Sequence, residues 1–327
     1  DISTPEGQDI LKTLIADSDI LIENFKVGGL EKYGLGYDQL SKAYPHLIYC
    51  AISGFGQTGP LAHEPGYDFL AQAMSGMMSI TGHPETEPVK CGVAISDILT
   101  GLYGAIAILS AMHERQTSGK GQQADLSLVD CTLSALTNVA QYYLTSGREV
   151  PRLGNAHSTI VPYQAFATSD GGHIILAVGN DAQFARFAEA AGCAPWAEDS
   201  RFATNAARVK HRQILVPEIA RIIASDEQES WITRLRKAQV PCGPVNSMAQ
   251  VFEDHQINAR DMRIEMDHPL HGGPVSLIGS PLKFSRTPVH YKYPPPALGQ
   301  HTREILQEFG FDTLTLERLT IKSIIQI

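Results

Sequence analysis

Basic tracts are missing from this 327-residue chain: Lys and Arg total 26 against 35 Asp and Glu, a formal charge of -9. A nucleic-acid partner is therefore not expected, because neutralising phosphates requires a basic surface. An anionic small molecule needs only one local cluster of donors and cations, and stays open. Cysteine is sparse and scattered (Cys50, Cys91, Cys131, Cys193, Cys242), odd in number and without a C-x-x-C pair. That usage argues against a disulfide framework or structural zinc and suits a reducing compartment. His268-x-x-His271 is the only closely spaced histidine pair, and Pro269 and Gly272 mark it as a loop rather than a ligand pair. No metal is expected. The start, Asp1 to Gly7, shows no basic region followed by an apolar one, so no secretory signal is read. The longest nearly uncharged stretch, Gly92 to Met112, is interrupted by Asp97, and the remainder from Ile98 falls short of the roughly 20 residues a bilayer demands. It reads as a buried helix with a carboxylate at its head, and no membrane association is expected.

With 43% hydrophobic and 19% charged residues the chain has the composition of a folded protein, and its length is a prior for two domains. Ser3 and Glu6 have capping-box spacing, and Ile10, Leu11, Leu14 and Ile15 form one apolar stripe, predicting a helix over Pro5 to Ala16. Asp19 to Ile22 and Leu47 to Ser53 are short apolar runs with helical pieces between them, and Gln123 to Val129 alternates in strand period. Strands alternating with helices argue for an α/β fold with a parallel sheet, whose ligands gather beyond the carboxyl ends of the strands. Glu23-Asn24-Phe25 and Gly54-Phe55-Gly56 stand at two such ends. Tyr67 to Met78 and Ile98 to Arg115 read as helices, and another runs to about Leu144. Pro151 to His157 reads as a domain boundary. Beyond it come a hairpin (Tyr163 to Thr168, His173 to Val178), helices at Asp181 to Ala191, Ala206 to Ala224 and Glu227 to Ala238, the last opened by a Ser225-x-x-Gln228 cap, and a rigid connector at Val240 to Val245. Strands near Arg263 to Met266 and Val275 to Ile278 precede Pro294-Pro295-Pro296, expected to carry the last helix, Thr302 to Phe309, away as a tail. The expected division is a large domain over 1–150, a small domain over 157–270, and a segment over 280–327 that returns to the large domain.

Two signals could carry chemistry. Gly54-Phe55-Gly56-Gln57-Thr58-Gly59 has the letters of a dinucleotide fingerprint, but Pro60 and Pro65 break the helix it requires and no acidic residue follows at the right distance, so a tight glycine loop is the better reading. Asp97 heads a helix whose next charged residue is Glu114. It is read either as a plain N-cap or as a buried, ionised nucleophile near amides that can also hold an oxyanion. Gly101, Gly104 and Ala105 give that helix a small-residue face, open to close approach or simple packing.

Seven blocks occur in one order: Glu23-Asn24-Phe25-x-x-Gly28-x-Leu30, Gly54-x-Gly56-x-x-Gly59-Pro60, Pro65-Gly66-Tyr67-Asp68, Gly92-x-x-x-x-Asp97-x-x-x-Gly101, Gly119-Lys120-Gly121-Gln122, Val240 to Val245, and Leu298-Gly299-Gln300-His301-Thr302. Together they closely resemble the class III CoA-transferases, the family of formyl-CoA transferase, carnitine CoA-transferase and the α-methylacyl-CoA racemases. The run Gly154 to Gln164 most resembles the branch that uses succinyl-CoA and moves CoA between dicarboxylates of the glutarate or hydroxymethylglutarate type.

The resemblance implies a Rossmann-like large domain, a smaller α+β domain and an interlocked homodimer. It also implies an N-terminal strand, turn and helix that this chain lacks, and a different ending after about Leu314. The family's catalytic carboxylate falls on Asp97, its CoA-contacting positions on Asn24, Phe25, Lys32 and Tyr33, and a further active-site contact on Tyr67. The implied reaction transfers CoA between an acyl-CoA and a small carboxylic acid, with the coenzyme A thioester as substrate and no permanently bound cofactor. A racemase is the alternative within the family, although look-alike racemases place a histidine where Tyr67 stands, and a tyrosine of ordinary pKa near 10 is poorly suited to proton shuttling. A CoA-binding homologue without activity is the other alternative. Candidate selectivity residues lie in the small domain and in the loop Gly82 to Glu87, whose Glu85 and Glu87 would repel a dianion if close, with a plain solvated loop as the alternative reading. The compartment is expected to be cytoplasmic, with a mitochondrial protein that has lost its leader as the alternative.

Overall fold

A computed structural model describes every residue except Pro269 and His271, so the second member of the closely spaced histidine pair lies outside the described residues. The first helix, α1 (Pro5–Ala16), forms as its pattern predicts, but its cap is Thr4, whose hydroxyl accepts the Gly7 N–H at 3.1 Å; Ser3 and Glu6 form no capping box. Three strands, β1 (Ile20–Glu23), β2 (Ile48–Ser53) and β3 (Gln123–Ser127), build a parallel sheet in the order β1-β2-β3. Glu23 lies opposite Ala51, and Ser53 opposite Ser127, so the carboxyl ends of all three strands face one side. The central strand is apolar at Ile48, Tyr49, Cys50 and Ala51 and fully covered, as a strand flanked on both sides requires. A 3₁₀ turn (Glu31–Tyr33) and α2 (Tyr37–Ala43) link β1 to β2.

Between β2 and β3 come α3 (Asp68–Met74), α4 (Met77–Ile80) and the long α5 (Ile95–Ser118); Gly76, at φ 89°, breaks the single helix expected over Tyr67 to Met78. The helix α5 is not buried as expected. Only Ser96, Thr100, Gly104 and Ala111 are fully covered, and Ile98, Leu102, Ile106 and Leu109 leave a stripe 49% to 64% exposed. At 24 residues it is long and apolar enough to cross a membrane by length and composition, because it starts before Asp97 and runs past Met112. Two short helices, α6 (Leu128–Ser134) and α7 (Thr137–Ser146), replace the single one expected after β3.

A second core gathers Phe166, Ile174, Leu176, Phe184, Phe187, Leu215, Ile219 and Trp231. Here β4 (Tyr163–Ala167) and β5 (His173–Ala177) form the expected hairpin. The expected rigid connector instead supplies a third strand, β6 (Cys242–Pro244), antiparallel to β5. Around this sheet pack α8 (Asp181–Ala190), α9 (Asn205–Lys210), α10 (Arg212–Ile223) and α11 (Gln228–Lys237). The helix expected over Ala206 to Ala224 is divided at His211, whose ring turns back to the Ala207 carbonyl at 2.8 Å. No Ser225 cap forms: the Ser225 hydroxyl donates to Ile222, and Glu227 takes the cap position. Beyond α12 (Met248–Glu253) and α13 (His255–Ala259), β7 (Arg263–His268) and β8 (Gly273–Ile278) pair as an antiparallel ribbon. After α14 (Thr302–Glu308) the chain adds a helix not foreseen, α15 (Thr313–Ile321), capped by Asp312. This end does not leave as a free tail, since Lys322 reaches Glu6 of α1 at 2.6 Å.

Candidate active site

The glycine loop after β2 is held by side chains of β2 and of the neighbouring β3. Ser53 Oγ accepts the Gly56 N–H at 2.9 Å, and the Asp125 carboxylate accepts the Gln57 N–H at 3.0 and 3.1 Å. The Gly54 carbonyl accepts from the Ser127 hydroxyl and from the Val129 N–H. No helix begins among these glycines, so the pyrophosphate-binding geometry of a dinucleotide fingerprint is absent, in line with the loop reading. Pro65-Gly66-Tyr67 then crosses β2's end against Gly54, where backbone touches backbone.

That crossing delivers Tyr67 and Asp68 to the start of α5. Asp97 is the third residue of α5, not its cap; the cap position belongs to Ala94, which has no side chain to spend on the free amides. Asp68 does that work from α3, its Oδ1 accepting the Ser96 N–H at 2.8 Å. Asp97 is therefore released from capping, and among the described residues its carboxylate accepts no hydrogen bond. It is open to a cavity rather than sealed in the core. Partial burial, and then the Asp68 charge beside it, raise its pKa above the ordinary aspartate value.

The cavity, about 610 Å³, lies across the carboxyl ends of β1, β2 and β3 and is lined by Asn24, Phe25, Gly54, Tyr67, Asp97 and Gly101, among others. Four of the six residues singled out from the sequence thus converge there: Asp97, Asn24, Phe25 and Tyr67. Lys32 and Tyr33 do not line it. They sit on the 3₁₀ turn, the Lys32 ammonium 4.6 Å from the Tyr33 ring centroid, and Tyr33 packs on the core that includes Leu30 and Leu35. Sequence reading gave no role to Glu23, Asp68 or Thr100, which also line the cavity. Glu23 is raised in pKa by burial while its carboxylate accepts the Phe25 N–H at 2.7 Å, fixing the turn that presents Asn24 and Phe25. The signal for Asp68 was its place in the Pro65-Gly66-Tyr67-Asp68 block. Of the small-residue face on α5, Gly104 packs on β3, a Cβ there standing 3.4 Å from Leu126, whereas one on Gly101 would meet nothing within 4 Å.

A cavity beyond the carboxyl ends of a parallel sheet is where such folds gather ligands, and here a carboxylate without a hydrogen-bond donor stands on the first turn of a neighbouring helix. The chain belongs to CoA-transferase family III, whose family model matches residues 1–302. Among its relatives are the succinate–glutarate CoA-transferase of Agrobacterium fabrum, 44% identical over 97% of this chain and 78% of that protein, and the human succinyl-CoA:glutarate CoA-transferase, 38% identical over 94% and 70%. The succinyl-CoA:mesaconate CoA-transferase of Haloarcula hispanica is 33% identical over 96% of this chain and 80% of its own length. The crystal structure of a CAIB/BAIF family protein from Brucella suis superposes with a TM-score of 0.84 at 44% identity, covering 94% of this chain and 80% of that one.

Proposed function

We propose that this enzyme moves CoA from an acyl-CoA, with succinyl-CoA as the donor, to a free dicarboxylic acid, and that Asp97 is the nucleophile. The observation that carries the assignment is the Asp97 carboxylate itself, relieved of capping by Asp68 and turned toward the cavity at the strand ends. The substrate class rests on relatives that act on succinyl-CoA with glutarate or mesaconate.

In this reading Asp97 attacks the thioester carbonyl, the carbon–sulfur bond breaks, and CoA leaves as thiolate with a mixed anhydride on the enzyme. The thiolate attacks the Asp97 carbonyl carbon, releasing the donor acid as carboxylate and leaving an aspartyl-CoA thioester. The acceptor carboxylate attacks that thioester, and the freed thiolate then takes the acceptor's acyl group and restores Asp97. One hard exchange becomes four easier ones, which is what covalent catalysis supplies. Asn24, Phe25 and Tyr67 would meet the thioester end of CoA, and Lys32 and Tyr33, outside the cavity, its distant phosphate-bearing part. The large domain is proposed to be Rossmann-like and the assembly an interlocked homodimer.

The test is succinyl-CoA incubated with glutarate, with mass spectrometry for a CoA adduct on Asp97. Wild type should transfer CoA and carry the adduct; Asp97→Asn should bind CoA and do neither. Transfer by Asp97→Asn within tenfold of wild type would end this reading, and α-proton exchange in a 2-methylacyl-CoA without transfer would favour a racemase.

A further inference from the structure

Gln72 is fully buried and does not line the Asp97 cavity, yet both ends of its amide are engaged, one within α3 and one on the segment before α5. Nε2 donates to Asp68 Oδ2 at 2.7 Å, and Oε1 accepts the Cys91 N–H at 2.8 Å. The Cys91 donor fixes which amide atom faces it, since an N–H can bond only the oxygen. Asp68 Oδ1 in turn holds the Ser96 N–H at 2.8 Å. Residues 68 and 72 stand one helical turn apart on α3, so one face of that helix grips both ends of the segment Cys91–Ser96. The segment's other holds are local: the Val93 carbonyl accepts the Ile95 N–H at 2.8 Å, the Ser96 carbonyl accepts the Thr100 hydroxyl at 2.7 Å, and the exposed Lys90 ammonium donates to the Cys91 carbonyl at 3.3 Å, so among the described residues only Gln72 and Asp68 tie it to α3. Gly92, Val93 and Ala94 are exposed, and the buried Ser96 hydroxyl has no hydrogen-bond partner. Asp97 is the next residue.

We propose that Gln72 is a positioning residue for the transfer reaction: acting through Asp68 and Cys91, it clamps the segment Cys91–Ser96 and so sets where Asp97 stands in the cavity. This deepens the reading of Asp97 as nucleophile and rests on it. A primary amide is the one ordinary side chain of this length that can donate to a carboxylate and accept from a backbone N–H at the same time. An apolar residue of equal size would leave the half-buried Cys91 N–H and one oxygen of the half-buried Asp68 without this partner. A carboxylate would bring a second negative charge against Asp68. Asp68 and Cys91 bond to Gln72 directly, the Asp68 charge reaches Asp97 on α5, and α6, which also packs against α3, carries Asp130 and Cys131.

The experiment compares Gln72→Met and Gln72→Glu with wild type in succinyl-CoA to glutarate transfer, checking folding by near-UV circular dichroism. Misplacing a reacting group by about 1 Å costs up to about 100-fold, so Gln72→Met should lose on the order of 10- to 100-fold in kcat. Its KM for succinyl-CoA should stay within about threefold, and the amide protons of Cys91 and Ser96 should exchange faster. Gln72→Glu should be impaired at neutral pH and recover relative to wild type as pH falls, because a protonated carboxyl can donate to Asp68 as the amide does. A folded Gln72→Met with unchanged kcat, or a ratio of Gln72→Glu to wild type that is flat with pH, would overturn the proposal. Should Gln72→Met not fold, the Gln72→Glu profile decides alone. Asp97→Asn run alongside separates the two ideas: its inactivity beside a fully active Gln72→Met removes only the clamp, whereas its activity removes the nucleophile.

Discussion

Gly54 and Gly66 cross with no room for a side chain on either: a Cβ on Gly54 would stand 2.4 Å from the Gly66 Cα, and one on Gly66 2.3 Å from the Gly54 Cα. Neither glycine is there for a left-handed φ; the demand is purely steric. The contact seats the Tyr67 and Asp68 segment on the end of β2, and through the Asp68–Ser96 bond it sets the start of α5. Gly66→Ala should therefore force a backbone shift and destabilise by about 1–3 kcal/mol, the usual range for overpacking. Urea denaturation and a CoA-transfer assay on the same preparation would check this. Unchanged stability together with unchanged activity would show that the crossing is not a constraint.

The acid limb of activity should lie higher than an ordinary aspartate would give. In the proposed mechanism only ionised Asp97 attacks, and burial first and Asp68 second raise its pKa. Asp68→Asn keeps an oxygen for the Ser96 N–H but removes the charge and the acceptor of Gln72 Nε2, so the rate should fall overall while the limb of kcat/KM moves to lower pH. For stability the sign is opposite to that of a salt-bridged carboxylate: the contribution is fully present below the unfolded pKa and is lost as pH rises through the raised folded value. A limb that stays put in Asp68→Asn would show that the charge of Asp68 does not reach Asp97.

Arg208 should be indispensable to the second core. It is fully buried, with Nε donating to the Val161 carbonyl at 2.7 Å, Nη1 to that of Phe202 at 2.8 Å and Nη2 to Asp181 at 2.8 Å, and its guanidinium 4.4 Å from the Phe184 ring centroid. Burial lowers its pKa and Asp181 partly restores it, leaving it charged. Arg208→Met would strand the buried carbonyls and should cost about 2–4 kcal/mol. Arg208→Lys should not rescue it, because one ammonium cannot span three divergent acceptors. Thermal melts of the three proteins would decide.

Tyr67 should matter for shape more than for proton transfer. It is 74% exposed within this chain, at the cavity rim, and its hydroxyl makes no hydrogen bond among the described residues. Tyr67→Phe should cost transfer no more than one substrate hydrogen bond, about 0.5–1.5 kcal/mol or roughly 2- to 13-fold in kcat/KM. A loss of a thousandfold would give the hydroxyl a chemical role.

The stripe Ile98, Leu102, Ile106 and Leu109 on α5 should be covered in solution by a second copy if the proposed dimer is correct. Sedimentation of the wild-type protein should give a dimer, and Leu102→Glu combined with Ile106→Glu should give monomer or aggregate. A wild-type monomer that transfers CoA would remove the dimer from the proposal.

What the sequence determined by itself was whatever depends on neighbours along the chain. Apolar periodicity located α1, the strands β1, β2 and β3 and the hairpin β4–β5, and ordered motif blocks pointed to the family and to Asp97. Its boundaries failed where a distant group intervened: α5 begins before Asp97 because Asp68, 28 positions before Ser96, supplies the cap that Ala94 cannot. Likewise Cys242–Pro244, inside the expected connector, became a strand because β5 offered it an edge. The tertiary structure alone decided that Asn24, Phe25, Tyr67 and Asp97 share one cavity while Lys32 and Tyr33 stand outside it, that Gly54 and Gly66 touch, and that Gln72 holds both Asp68 and Cys91. The physical reason is that burial, hydrogen-bond partnership and a shifted pKa belong to pairs of groups brought together by packing, and a linear pattern carries information about periodicity but none about which distant partner satisfies a buried amide.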